Sequence, residues 1–149
     1  MGIEDVTGRI ARDLEHLKQY TATPGNGCTR LPFTKEARDA VNYLKELMTE
    51  ADLEVTEDAA GNVIGTLKGE DPDAPCVMMG SHYDSVVNGG DYDGIAGVIC
   101  AIEVARILKE EGISEVHYIG NLEKKLDFIP GFVTTPWMIS GMGIIYGKK

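Results

Sequence analysis

The chain is short of positive charge, of cysteine and of long apolar runs. Fourteen Lys plus Arg stand against 24 Asp plus Glu, giving a net charge of −10 and a pI near 4.7. With no basic stripe to displace counterions from a phosphate backbone, a nucleic-acid partner is excluded. Three cysteines, Cys28, Cys76 and Cys100, are an odd number at wide spacing and make no disulfide framework. Cys76 and Cys100 lie in apolar runs, where a thiol behaves as a small hydrophobe, and the set fits a reducing, cytoplasmic setting. The most apolar stretch, residues 94–108, is broken by Glu103 and Arg106. The first residues carry Glu4, Asp5, Arg9 and Arg12 where a leader has a basic start and an apolar block. Neither a membrane span nor a signal peptide is expected.

What is present suffices for one domain: 149 residues, 43% of them hydrophobic. Ile3, Val6, Ile10, Leu14 and Leu17 recur at helical spacing, and residues 21–32 hold four Gly and Pro, so a helix precedes a long loop. Thr34 is placed to cap a second helix whose apolar face is Ala37, Ala40, Val41, Leu44, Leu47 and Met48. Residues 53–57 and 63–67 favour strand and are separated by Asp58-Ala59-Ala60-Gly61-Asn62, which predicts a hairpin. Residues 74–80, with Cys76, Val77, Met78 and Met79 in a row, predict a strand buried on both faces. Residues 94–109 are apolar almost all round and predict a helix packed deep on the sheet, and 115–120 predict a further strand. The alternation defines an α/β sandwich with a mixed sheet. A single domain over 1–149 is expected, divided into helix and loop (1–32), core (33–120) and tail (121–149).

The polar chemistry gathers where the buried strand ends. Between Gly80 and Gly94 one imidazole and several carboxylates are packed among glycines. In open α/β sheets ligands collect beyond the carboxyl ends of the strands, and His82 and Asp84 fall on that edge. A spacing of two puts both side chains on the same side of an extended chain. Asp84 either fixes the tautomer of His82, as carboxylates do for ligating histidines, or reaches across to a second group. Asp93 follows the Gly89-Gly90 turn, which lets the backbone fold back towards the strand end. One imidazole and one carboxylate suit a zinc-like or manganese-like dication. Asp93 also stands immediately before a helix, where capping is its competing role.

Other polar residues draw plainer expectations. His16 belongs on the solvent face of the first helix, and His117 is packed within a strand. Gly25-Asn26-Gly27 is a turn, because no strand precedes it and no Lys-Ser/Thr pair follows. Cys28 in that loop is the thiol expected to be most exposed, with nothing nearby to activate it.

Gly80-Ser81-His82-Tyr83-Asp84-Ser85-Val86, Asn88-Gly89-Gly90, Asp91-Tyr92-Asp93-Gly94 and Ala96-Gly97-Val98 together resemble the first metal motif of the N-carbamoyl-amino-acid hydrolases, allantoate amidohydrolases and ureidopropionases. These belong with the aminoacylase-like, di-metal peptidase superfamily. The likeness extends over residues 27–112, through Gly27-Cys28-Thr29-Arg30-Leu31 and Asp58-Ala59-Ala60-Gly61-Asn62. It implies a zinc-peptidase-like catalytic domain that hydrolyses the C–N bond of a small carbamoyl or ureido substrate with zinc or manganese. By resemblance His82 is a terminal metal ligand, Asp84 orients it, and Asp93 bridges two metals.

The resemblance departs from the family after residue 120. There the family carries two adjacent glutamates, a general base and then a metal ligand. Aligning Phe128 and Pro130-Gly131-Phe132 on the family pattern places Glu123 at the base and Lys124 at the ligand. A protonated lysine has no lone pair to donate. A like unit charge at about 4 Å costs on the order of 4 kcal/mol at an effective dielectric of 20, and a dication more. The family's later His ligands and inserted lid domain have no counterpart up to Lys149. The expectation is therefore a truncated site, inactive by itself, or a non-catalytic module in which Lys124 replaces a metal and pairs with Asp93 or Asp84. Residues 133–146 hold Trp137, Met138, Ile139, Met142, Ile144 and Ile145. They form a final strand, a helix or an apolar patch, and association through them, into a homo-oligomer or with another chain, is expected.

Overall fold

The computed structural model describes residues 3–69, 76–113 and 142–147. Its elements run α1 (Ile3–Leu17), α2 (Lys35–Glu50), β1 (Glu54–Glu57), β2 (Val63–Leu67), β3 (Cys76–Met79), α3 (Ile95–Glu110) and β4 (Met142–Gly147). The mixed α/β class expected from the alternation is the class observed. The expected strand at 115–120 with His117, and Glu123, Lys124 and Trp137, lie outside the described residues.

Local chemistry sets the element boundaries. The Thr34 hydroxyl accepts from the Ala37 amide and caps α2, which buries the six apolar residues of its inward stripe. Asp58 Oδ1 accepts from the amides of Ala60 and Asn62 at 2.9 Å each, closing the turn between β1 and β2. These strands pair antiparallel, with Glu54 opposite Thr66 and Glu57 opposite Val63. The sheet order is β1-β2-β4-β3, with β4 parallel to β2 and antiparallel to β3. Within the apolar tail, residues 142–147 thus resolve as strand. Helix α2 lies against β1 and β2, and α3 against β4. Leu44, Met48, Val63, Val98, Ile99 and Ile102 form the centre of the core, each fully buried.

Three expectations about burial are corrected. Strand β3 is not covered on both faces, since Met78 is 65% exposed. Met79 packs against the core, and alternation turns Met78 to the other face. Cys28 is buried, because its segment pairs with Gly89 in an isolated antiparallel bridge. Cys100 is exposed: α3 turns Val98, Ile99, Ala101, Ile102 and Ala105 inward and leaves positions 100 and 104 outside. No helix among the described residues is long and apolar enough to cross a membrane.

Glu103 and Arg106 of α3 are buried and shared with α1. Arg106 Nη1 donates to Asp13 Oδ2 at 2.7 Å and to Glu103 Oε2 at 3.2 Å, while Arg9 donates to Glu103 and to Glu110. Tyr43 on α2 reaches the same Asp13 carboxylate. Burial and then Asp13 push the Tyr43 phenol up to about 12. Burial by itself pulls Arg106 down, but Asp13 and Glu103 more than offset it. Removing one member of such a buried set costs about 3–5 kcal/mol, although the set as a whole contributes far less to net stability.

On the surface, Arg38 makes a two-pronged bond to Glu57, both arms 2.9 Å, joined by Lys45. Hydrogen bonds from these two cations hold the Glu57 carboxyl down at about 2. A carboxyl depressed on folding contributes stability above its unfolded value, and that contribution is lost as pH falls through the folded one. Thermal midpoints measured from pH 5 to pH 2 should therefore decline, and Glu57→Gln should flatten the decline by a modest amount because the pair is solvated. An identical slope in the variant would contradict this assignment.

Candidate metal centre

Beyond β3 the chain passes through His82, Tyr83 and Asp84 and returns at Asp93 to the start of α3. Gly94 has φ 68° and ψ −53°, and the Ile95 amide donates to the Asp93 carbonyl at 2.7 Å. That is a γ-turn of the positive-φ kind, rare because residues with a Cβ avoid it and open to glycine without strain. The helix N-cap is Gly94, with no side-chain cap bond. Asp93 does not cap α3, because the γ-turn takes it off the helix end, and its carboxylate lies beside His82 instead.

The imidazole is held from several sides. A Cβ added at Gly94 would stand 2.4 Å from His82 Cε1 and Nδ1 and 2.5 Å from the His82 carbonyl oxygen. The ring and the helix start are in direct backbone contact, which only glycine permits. One turn later, a Cβ at Gly97 would stand 2.8 Å from Ser81 Cβ, so the same helix face is seated on the strand end. His82 Nδ1 lies 3.0 Å from the Asp84 carbonyl oxygen and 3.2 Å from Asp84 Oδ1. A carbonyl oxygen only accepts, so Nδ1 carries the proton and donates, leaving the lone pair on Nε2. That atom is 3.9 Å from Asp93 Oδ2.

This separation exceeds a hydrogen bond. It approaches the span of two ligands on one tetrahedral ion, roughly 3.4 Å for bonds of about 2.0–2.2 Å. Side-chain exposure falls in the order Asp93 (65%), His82 (38%), Asp84 (18%), so the Nε2 and Asp93 edge is open to an arriving cation. The donors brought together fit one side of a zinc or manganese site. Among the described residues no group of three or more His, Cys, Asp or Glu is placed to hold a metal. His16 is exposed, its ring stacked on Tyr43 at 4.1 Å.

Several contributors carry no local signature. Lys18 at the end of α1 stands 5.1 Å from the ring centre of Tyr92, next to Asp93, and hydrogen bonds to Glu15 and Tyr92 raise its pKa. Arg30 grips the loop from far off in the sequence, through Tyr83 and Ser85. The Gly94 and Gly97 spacing at the head of an apolar helix was the one available sign of close backbone packing.

The model of peptidase family M28 matches residues 62–129. An N-carbamoyl-L-amino-acid amidohydrolase of Paenarthrobacter aurescens is 46% identical over 109 residues, 73% of this chain and 26% of that protein. An allantoate amidohydrolase of Bacillus subtilis is 42% identical over 105 residues, 70% and 26% of the two chains. The crystal structure of a hydantoinase/carbamoylase family amidase from Burkholderia ambifaria superposes with a TM-score of 0.71 at 27% identity, over 93% of this chain and 29% of that one. Over the part it shares with them, the chain is similar to N-carbamoyl-amino-acid and allantoate amidohydrolases. It spans about a quarter of the length of the curated relatives it matches.

Gly94→Ala tests the packing at the site. Strain at a positive φ costs about 1–3 kcal/mol by itself, and the displaced His82 backbone adds to it. The thermal midpoint should fall, and the His82 ring resonances should shift more than those of His16. Unchanged His82 resonances would contradict the contact.

Proposed function

We propose that the chain forms the N-terminal part of the catalytic domain of a metal-dependent amidohydrolase acting on the C–N bond of N-carbamoyl or ureido compounds. The observation that carries this reading is the lone pair of His82 Nε2 facing Asp93 Oδ2 at 3.9 Å while Asp84 holds Nδ1. In this reading His82 and Asp93 are ligands of a zinc or manganese ion and Asp84 is the orienting residue. Glu123 is the general base by its place in the sequence. A dication bound there would polarise the substrate carbonyl and lower the pKa of water. The chain's own part is to hold a neutral imidazole in one tautomer and to bring a carboxylate beside it.

We infer further that the chain alone does not turn over. A catalytic zinc takes three protein ligands, and two are assembled among the described residues, with Lys124 at the sequence position of a third. The remaining donors would come from residues outside the described set or from an associated copy or second chain, for which the apolar stretch 133–146 is suited. The division into 1–32, 33–120 and 121–149 within one domain is part of this reading. It is supported by the buried ion pairs that join α1 to α3.

A second reading rests on Lys124. There the ammonium pairs with Asp93 or Asp84 and the chain is a non-catalytic module.

Metal content and zinc titration of protein purified without chelator distinguish them. The first reading expects zinc or manganese binding that disappears in His82→Ala and in Asp93→Ala, with N-carbamoyl-amino-acid hydrolysis by the chain at the His82→Ala level. No binding, or binding unchanged in His82→Ala, would overturn it and leave the Lys124 reading. Hydrolysis above the control would overturn the inference of inactivity.

A further inference from the structure

We propose that Arg30 is a positioning residue for the candidate metal centre: its guanidinium and its backbone clasp the peptide 83–85 whose carbonyl orients His82.

Arg30 is 2% exposed, and its donors go to backbone carbonyls from two places in the chain. Nη2 donates to the Leu17 carbonyl at 2.6 Å and Nε to the Tyr20 carbonyl at 2.9 Å. Nη1 donates to the Tyr83 carbonyl at 3.0 Å. Leu17 is the last residue of α1, so its carbonyl sits at the negative end of the helix dipole. That end, with the loop that follows, solvates a guanidinium which would otherwise be costly to bury. Burial pulls the Arg30 pKa below the ordinary arginine value, and Cys28 and Asp84 pull it the other way.

The backbone of Arg30 grips the same peptide from its other end. The Ser85 amide donates to the Arg30 carbonyl at 2.9 Å, and the Arg30 amide donates to Ser85 Oγ at 2.8 Å. Ser85 Oγ in turn donates to the Cys28 carbonyl at 2.9 Å. Beyond it, Cys28 and Gly89 exchange two amide bonds of 2.9 and 2.8 Å. Residues 83 and 85 are thus both tied to Arg30, and residue 84 lies between them. The Asp84 carbonyl is the acceptor that fixes the tautomer of His82. Rotating that peptide would turn the imidazole, and a ligand must be held within about 0.5 Å and 10–20° of its working geometry. The five-donor fork of arginine reaches α1 and the metal loop at once, whereas lysine offers a single point.

The effect on metal rests on the reading of His82 and Asp93 as ligands; the effect on His82 does not. The test uses the full chain with Arg30→Lys, which keeps the charge and loses the fork, and Arg106→Lys as an equally buried control between α1 and α3. In metal-free protein, long-range ¹H–¹⁵N correlation should show His82 as one Nδ1–H tautomer in the wild type and in Arg106→Lys, and as a mixture in Arg30→Lys. Zinc affinity should fall about 10–100-fold in Arg30→Lys, the range for loss of an outer-shell support, and should stay within twofold in Arg106→Lys. If Arg30→Lys does not fold, Ser85→Ala loosens the same clasp more gently and should shift both readouts in the same direction. A folded Arg30→Lys or Ser85→Ala with the wild-type tautomer and affinity would overturn the proposal. If the wild type binds no zinc, the functional reading fails, and the tautomer still decides the role of Arg30.

Discussion

The imidazole of His82 rests against the backbone of Gly94, and the rest of the site follows from that contact. A Cβ at Gly94 would stand only 2.4–2.5 Å from His82 atoms, so α3 begins closer to the strand end than any side chain would allow. The close approach goes with the positive-φ γ-turn at Gly94, and that turn leaves Asp93 off the helix end with its carboxylate 3.9 Å from Nε2. A packing constraint between one helix and one strand thereby sets the relation of two donor groups.

Two separate ties run from the N-terminal segment to these elements. The ion pairs of Asp13, Arg9, Glu103 and Arg106 fix α1 on the middle of α3. Arg30 then links the end of α1 to the loop that carries His82 and Asp84. Helix α1 contributes no ligand, yet its end bears on the metal loop through Arg30. Lys18 against Tyr92 adds a third, weaker contact beside Asp93.

How much of this was legible in the sequence follows from chain separation. The inward faces of α2 and α3, the hairpin around Asp58-Ala59-Ala60-Gly61-Asn62 and the placing of His82, Asp84 and Asp93 at a strand end are short-range patterns, and periodicity reveals them. Arg30 meets Tyr83 across 53 residues and Arg106 meets Asp13 across 93, and no local pattern encodes either bond. Cys28 was expected outside because its own neighbours are turn residues, whereas its burial comes from Gly89. Cys100 was expected inside because its neighbours are apolar, whereas one step along a helix reverses the face. The role of Asp93 was open between cap and ligand; the backbone of Gly94 excludes the cap, and periodicity carries no information about φ.

The central claim is that His82 presents Nε2 as a metal donor beside Asp93. X-ray absorption at the zinc edge of the metal-loaded chain tests it most directly. The account predicts a first shell of nitrogen and oxygen at about 2.0–2.2 Å, with the outer-shell scattering of one imidazole that vanishes in His82→Ala. Imidazole scattering that survives in His82→Ala, or a wild-type spectrum of hydrated zinc alone, would contradict it.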